Sequence, residues 1–216
     1  MPLVNLAAAG VSIRVVRLGN PKRDRDYLGS FSFDDQSYDE AFADFVENAT
    51  TENELAEFLE YPFERKPNGK FGKVTRFSNG DWPVFYSAAD EQTIVAEIKH
   101  WFAKDIANGE ASPTRRRYYR RVAINCAGDA IDVRPNLGTW PDLISDDYAF
   151  CHRIGAEIAG GPVSALLAPS ARLDGGTTIP VFKRRALNDP ELTGTVVFTP
   201  SSRDGQVDIV TSTTRA

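Results

Sequence analysis

The chain has 216 residues, of which 42% are hydrophobic, 11% aromatic and 25% charged. This length suits one large domain with a substantial core, and the composition excludes a disordered chain, a fibre and a membrane-spanning protein. The formal net charge of −5 disfavours nonspecific binding to nucleic acid, because that binding needs clustered positive charge.

The first ten residues predict neither secretion nor membrane insertion. They are apolar and alanine-rich, but no Lys or Arg precedes the apolar run, and the run is far shorter than a membrane span. A chain of this size with two cysteines, Cys126 and Cys151, needs no disulfide for stability. We therefore expect a cytoplasmic protein with reduced cysteines.

The first strand is predicted at residues 11–18, where Val15 and Val16 lie between Arg14 and Arg17. A Gly-Asn-Pro sequence follows and ends it.

The composition changes in the segment 34–64, where every charged residue is acidic. Its apolar residues recur at helical spacings of three and four: Tyr38, Phe42 and Phe45, then Leu55, Phe58 and Leu59. This pattern predicts two short amphipathic helices with acidic outer faces. Those faces either dock a basic partner or contact water alone.

The next stretch predicts a hairpin followed by a helix. A turn signal at 78–81 separates two predicted strands, 73–77 and 83–87. Asp90 is placed to cap a helix that runs to about Lys104. The buried stripe of this helix is predicted to contain Ile94, Ile98, Trp101 and Phe102.

The remaining elements complete an α+β pattern. A helix is predicted at 147–159, ended by a Gly-Gly-Pro sequence. Strands are predicted at 119–125, 130–133, 163–168, 179–182, 195–198 and 207–211. We expect a compact single domain, 1–216, of short strands in mixed directions with a few covering helices.

Four residues form a candidate site. Glu97 lies on the predicted apolar face of its helix, where a carboxylate is unexpected. Arg76 and Tyr86 lie on the two predicted hairpin strands, so the hairpin and helix can bring all three together. Ser170 follows a buried-looking strand. Each residue alone also has an ordinary structural explanation as surface charge, core filler or turn.

The sequence resembles the RES-domain family, named for its Arg, Glu and Ser. The resemblance covers about residues 13–182. It is carried by Arg76-Phe77, Val84-Phe85-Tyr86-Ser87-Ala88, Ala96-Glu97, Ile131-Asp132-Val133, Cys151-His152-Arg153-Ile154-Gly155, Ala168-Pro169-Ser170-Ala171-Arg172 and Gly175-Gly176 to Val181-Phe182.

This resemblance implies a fold similar to that of ADP-ribosyltransferase toxins, with cleavage of NAD at its nicotinamide–ribose bond. It also implies a toxin of a toxin–antitoxin pair, with a helix-turn-helix antitoxin as partner. The implied catalytic residues are Glu97, Arg76 and Ser170. The implied NAD-binding residues are Arg14, Arg76, Tyr86, Ser170 and Thr178, with Arg17 as an alternative for Arg14.

The sequence departs from the family pattern at two places. The acidic segment 34–64 resembles an insertion, and Thr178 stands where many members have Asn. Beyond Arg185 we recognise no family motif, and the C-terminal strands within 195–211 are expected to be structural.

The residue types suit the implied reaction. Loss of nicotinamide builds positive charge on the ribose, which a fixed carboxylate such as Glu97 stabilises. Arginines offer paired donors to the pyrophosphate, and a tyrosine can stack on nicotinamide. Neither His100 nor His152 is needed as a catalyst. No metal site is expected, because neither histidine lies near a second ligand at a usual spacing.

Three alternatives have their own sequence signals. A protein mono-ADP-ribosyltransferase would use the same Glu and Arg with another acceptor. An RNA-binding toxin would use the Arg-rich run 115–121, but the acidic balance of the chain disfavours it. A non-catalytic interaction module would use the acidic segment.

Overall fold

A computed structural model of the chain describes residues 6–19, 52–111 and 116–200, and the backbone of 207–213. Its strands are β1 (Ala9–Gly19), β2 (Phe85–Ala88), β3 (Arg117–Asp132), β4 (Ala165–Pro169), β5 (Thr177–Val181), β6 (Leu187–Pro200) and β7 (Val207–Thr213). The α-helices within these residues are α1 (Glu52–Glu60), α2 (Glu91–Ala107) and α3 (Ala149–Gly160). Short 3₁₀ turns occur at Tyr61–Phe63, Arg134–Asn136, Pro141–Leu143 and Arg184–Ala186.

The described strands form one seven-stranded sheet in the order β1-β2-β5-β4-β3-β6-β7. Because β1 also pairs with β3, the strands β1, β2, β5, β4 and β3 form a closed ring of pairings. The β3–β4 pair is parallel and the others are antiparallel. The fold is therefore α+β with strands in mixed directions, which confirms the predicted class.

Each helix covers the sheet through its own apolar cluster. Leu59 of α1 packs in a cluster with Val15 and Phe85. Ile94 and Phe102 of α2 belong to a second cluster. The third cluster lies under α3 and contains Phe77, Ile131, Leu143, Cys151, Ile154, Ile158 and Leu166. Both cysteines are buried and free, as expected from their number.

Several sequence predictions are confirmed within a few residues. The predicted strand 11–18 is the centre of β1, and the predicted helix 147–159 is α3. Asp90 caps α2, since its carboxylate accepts hydrogen bonds from the backbone N–H of Thr93 at 2.8 Å and from the Thr93 hydroxyl at 2.9 Å. Ile94 and Phe102 are buried, as their spacing indicated.

The predicted hairpin of 73–77 with 83–87 is wrong. Residues 73–77 form no strand, and Thr75 and Ser78 instead make a single bridge around a tight turn. Of the second predicted strand, Phe85–Ala88 forms β2, which pairs with β1 and β5. A strand has only two edges, so no edge of β2 is left for residues 73–77.

The predicted strands 119–125 and 130–133 are parts of one strand, β3. The intervening residues 127–129 are exposed, and Gly128 at φ 141° resembles a break in the sequence. The strand continues there because β1 pairs with it throughout, with Val11 opposite Gly128.

The acidic segment 34–64 is described only from residue 52. Leu55, Phe58 and Leu59 lie in α1 and pack on the sheet, which confirms the second predicted helix. The first predicted helix, with Tyr38, Phe42 and Phe45, lies outside the described residues. In the described part of the chain, no helix is long and apolar enough to cross a membrane.

Candidate functional site

Glu97 and Ser170 meet directly although they are 73 positions apart in sequence. The Ser170 hydroxyl donates to Oε1 of Glu97 at 2.6 Å. Glu97 lies half-buried in α2, and Ser170, which is 7% exposed, follows the end of β4. The sheet and its covering helix therefore bring together the two residues that the sequence motifs indicated.

The hydroxyl of Ser170 has a defined orientation. Its oxygen accepts hydrogen bonds from the backbone N–H groups of Arg172, at 3.1 Å, and Leu173, at 3.2 Å. A hydroxyl has one proton to donate, and here that proton points to Glu97. The loop also approaches α2 closely at Gly176, where an added Cβ would lie 2.9 Å from the Thr93 hydroxyl oxygen. Gly176 therefore permits the close contact between this loop and α2.

Arg76 lies at the tip of the Thr75–Ser78 turn and is 7% exposed. Its Nη1 donates to the backbone carbonyls of Leu143, at 3.3 Å, and Ser145. Its guanidinium carbon lies 4.9 Å from the centre of the Tyr148 ring. Arg76 thus joins its turn to the loop before α3.

Tyr86 connects β2 to the same turn. Its hydroxyl oxygen accepts the backbone N–H of Phe77 at 3.0 Å. Burial raises the pKa of Tyr86, while the charges of Arg76 and Glu97 shift that pKa in opposite directions. Tyr86 is therefore a neutral phenol within electrostatic range of both charged residues.

Three residues that the sequence analysis did not select also belong to this region. The Arg172 guanidinium forms an ion pair with Asp146, and its hydrogen bond holds the pKa of that carboxyl below its usual value. Burial raises the pKa of Tyr148, and the charges of Arg76 and Arg172 oppose that rise. Arg172 follows Ser170 in its motif, and this proximity was the only sequence signal for it.

The two candidate first arginines lie elsewhere. Arg14 is exposed, donates to Asn125 at 2.9 Å and forms an ion pair with Glu191. The guanidinium carbon of Arg17 lies 4.2 Å from the centre of the Phe85 ring. Successive residues of a strand point to opposite faces, so Arg17 lies on the face of β2 opposite the Tyr86 side chain. No hydrogen bond joins either arginine to Glu97 or Ser170 within the described residues.

Arg17 is a partly buried cation, and burial lowers its pKa to about 10. Its Nη1 donates to the Tyr86 carbonyl at 3.2 Å, and its Nε is buried without a hydrogen-bond partner in the described part of the chain. These contacts place Arg17 against the backbone of β2, behind the site.

Thr178 and His152 have contacts within the fold. Thr178 is buried in β5, and its hydroxyl donates to the Ala168 carbonyl at 3.4 Å. Nε2 of His152 lies 2.9 Å from the Thr75 carbonyl, so this histidine supports the turn that carries Arg76. Within the described ranges, no group of three or more His, Cys, Asp and Glu residues could hold a metal ion.

The site as a whole combines the carboxylates of Glu97 and Asp146, two nearly buried guanidinium groups and two tyrosines. Such a set can stabilise a developing cation at Glu97 while it binds an anionic group nearby. The turn, α2 and the loop after β4 each contribute one of Arg76, Glu97 and Ser170.

Comparisons with known proteins find one matching family model and a similar solved structure. The family model of the RES domain matches residues 52–201. Among solved structures, the chain is similar to a chain of the M. tuberculosis MbcT–MbcA toxin–antitoxin complex, with 15% sequence identity and a TM-score of 0.51. This similarity covers 89% of this chain and 87% of that chain, and at such identity it shows a shared fold. No curated protein matches the chain.

Proposed function

Because the chain belongs to the RES-domain family, we propose that it cleaves NAD at the bond between nicotinamide and ribose. The observation that carries this proposal is the 2.6 Å hydrogen bond from Ser170 to Glu97. It fixes a carboxylate in a partly buried position, where a fixed negative charge stabilises a cation more strongly than it does in water.

Glu97 acts on the ribose in this proposal. When nicotinamide leaves with the bonding electron pair, its ring nitrogen becomes neutral and the ribose gains oxocarbenium character. The carboxylate stabilises that charge, and Ser170 holds the carboxylate in place. Nicotinamide is a good leaving group from this cationic precursor, so no general acid is required. An oxygen of water or phosphate then bonds to the ribose carbon that nicotinamide left, and an attacking water releases one proton to the solvent.

Arg76 and Tyr86 organise the rest of the site. The Nη1 of Arg76 is occupied by backbone carbonyls, so contact with the NAD pyrophosphate falls to the other N–H groups of its guanidinium. Tyr86 holds the Arg76 turn through Phe77 and offers its ring to nicotinamide.

We further propose that the chain is the toxin of a toxin–antitoxin pair. The similar M. tuberculosis chain comes from such a complex, and the family resemblance implies a helix-turn-helix antitoxin. A toxin that depletes NAD acts in the cytoplasm, where the pool is accessible to it. Expression of the wild-type chain without its antitoxin is then expected to deplete cellular NAD and arrest growth.

The decisive experiment compares purified wild-type protein with Glu97→Gln. Release of nicotinamide from NAD is followed by chromatography. Removing one such transition-state contact costs about 10²–10³ in turnover. Glu110→Gln is the matched control, because Glu110 is exposed beyond the end of α2, and its turnover should equal that of wild type.

Normal turnover by a folded Glu97→Gln protein would reject the role of Glu97, and the absence of turnover in wild type would reject NAD cleavage. The second product identifies the acceptor: free ADP-ribose for water, its 1″-phosphate for phosphate, or a modified protein for an ADP-ribosyltransferase.

A further inference from the structure

Arg172 is an arginine with incomplete pairing beside Ser170. Its side chain is 14% exposed, whereas the Asp146 side chain that pairs with it is 68% exposed. The Nε of Arg172 is buried and has no hydrogen-bond partner among the described residues. A buried donor without an acceptor is costly, so the surroundings of Arg172 favour an acceptor for its Nε, in addition to its contacts with Asp146 and Tyr148.

Arg172 and Asp146 differ in how easily their side chains move. The backbone N–H of Arg172 is hydrogen-bonded to the Ser170 hydroxyl at 3.1 Å, which fixes the base of its side chain next to the site. The Asp146 carboxylate faces water and can rotate away at little cost, since exposed ion pairs are weak. An incoming anion can therefore replace Asp146 on a guanidinium that stays in place.

The charge of Arg172 acts on several residues of the site. It lowers the pKa of Asp146, opposes the rise in the pKa of Tyr148, and adds to the effect of partial burial in lowering the pKa of His100. Glu97 also acts on His100. Arg172 and the proposed ribose-binding carboxylate thus share one electrostatic neighbourhood.

We propose that Arg172 binds one phosphate of NAD, the phosphate next to the nicotinamide ribose. In the free protein Asp146 pairs with Arg172, and the bound phosphate displaces it. The identity of the ligand rests on the proposed function. The anion site itself rests on the geometry of Arg172 and Asp146. A guanidinium suits this role because it presents paired donors to phosphate oxygens and keeps its charge at cellular pH.

Opposite effects of two substitutions distinguish this role from a structural one. Arg172→Gln should weaken binding of a phosphate ligand, because a charge-assisted contact is lost. Asp146→Asn should strengthen it, because the competing carboxylate is neutralised. If the pair merely pinned the loop, both substitutions would loosen the same loop and weaken binding alike.

The experiment is calorimetric titration of the full chain with ADP-ribose and, separately, with inorganic pyrophosphate. For Arg172→Gln we expect the Kd of ADP-ribose to rise about tenfold or more. For Asp146→Asn we expect it to fall by roughly two- to fivefold, and this gain should shrink at high salt. Arg172→Lys, which keeps the charge but not the paired donors, should lie between wild type and Arg172→Gln.

Two charge-matched controls separate local from general electrostatics. Arg153 is exposed on α3, so Arg153→Gln removes the same charge outside the site. Asp129 is exposed, and its carbonyl accepts the N–H of Ser164 at the end of β4 away from Ser170. Arg153→Gln and Asp129→Asn should both leave the Kd of ADP-ribose unchanged.

Each possible result either supports or overturns the anion site at Arg172. Weaker binding in Asp146→Asn, unchanged binding in Arg172→Gln, or no binding of either probe to wild type overturns the anion site, even if NAD is cleaved. Because the side chain of Asp146 is largely exposed, Asp146→Asn tests the proposal even if Arg172→Gln fails to fold. In one outcome the protein fails to cleave NAD, while the Kd of pyrophosphate rises in Arg172→Gln and falls in Asp146→Asn. That result supports the anion site and rejects only the proposed reaction.

Discussion

Tyr86 has a structural role that depends on one oxygen atom. Its hydroxyl is the acceptor for the backbone N–H of Phe77, next to Arg76 in the turn. Burial raises the pKa of Tyr86, so the phenol remains neutral throughout the physiological range. A phenylalanine would fill the same space but leave the Phe77 N–H without this acceptor.

Tyr86→Phe should therefore destabilise the protein by about 1–3 kcal/mol, the usual cost of a buried donor left unpaired. NAD turnover should also fall, because the turn that carries Arg76 loses one of its attachments. Urea unfolding measures the first effect and nicotinamide release the second. An unchanged unfolding midpoint together with wild-type turnover would show that this hydrogen bond contributes to neither.

Arg76 shows how a residue that looks like surface charge becomes part of the interior. In sequence it lies among Lys73, Val74 and Thr75, and Val74 is 59% exposed. The guanidinium is nevertheless nearly buried, because the carbonyls of Leu143 and Ser145 come from a loop 67 and 69 positions away. A buried guanidinium needs such acceptors, and only the tertiary structure supplies them.

At the scale of elements, α3 packs on the Arg76 turn through a glycine. A Cβ at Gly155 would lie 2.0 Å from the Phe77 carbonyl oxygen and 3.3 Å from Nε1 of Trp82. The nearer of these two atoms belongs to the backbone, which cannot move aside to make room for a Cβ as a side chain can. Trp82 in turn donates its indole N–H to the Phe77 carbonyl at 2.9 Å, so the helix and the turn share one close contact.

Gly155→Ala should destabilise the protein by about 1–3 kcal/mol or more, because the extra methyl group forces α3 and the turn apart. Gly160→Ala in the same helix is the matched control, since no described atom beyond its chain neighbours and the backbone of its own helix lies within 4 Å of a Cβ there. That substitution should be neutral or stabilise by about 0.5–1 kcal/mol through helix propensity. Urea unfolding of both variants checks the contrast, and equal effects would contradict close packing at Gly155.

At the scale of the whole molecule, several carboxylates link stability to pH. A hydrogen bond from Arg134 lowers the pKa of Asp132, and hydrogen bonds from Lys70 and Asn79 lower that of Asp81. A carboxyl whose pKa is lower in the folded state stabilises the protein above its unfolded pKa of about 4. That contribution is lost as the pH falls through the lower, folded-state pKa.

The free energy of unfolding should therefore fall as the pH drops below about 4, and Asp132→Asn should flatten this dependence. The effect of one residue will be small, because Asp132 is 39% exposed and water screens its charge. Urea unfolding between pH 2 and pH 6 measures it. An identical slope in wild type and Asp132→Asn would show that the Arg134 contact is not linked to acid stability.

Elements with local sequence signals are predictable without the structure. The strand β1, the capped helix α2 and the helix α3 follow from side-chain periodicity, and Asp90 follows from the chemistry of a helix start. The ordered motifs also indicated Arg76, Tyr86, Glu97 and Ser170 as a group. Their proposed roles in NAD cleavage stay predictions.

The pairing of strands and the contacts between distant charges depend on the tertiary fold. Local alternation cannot tell which edge of a strand is free, so residues 73–77 were predicted as a hairpin partner of β2, whereas β1 and β5 occupy both edges. The same limit applies to charges. Arg172 and Asp146 are 26 positions apart, and their pairing depends on how the loop after β4 packs beside α2 and α3, because a contact between distant segments is set by the packing of the whole fold.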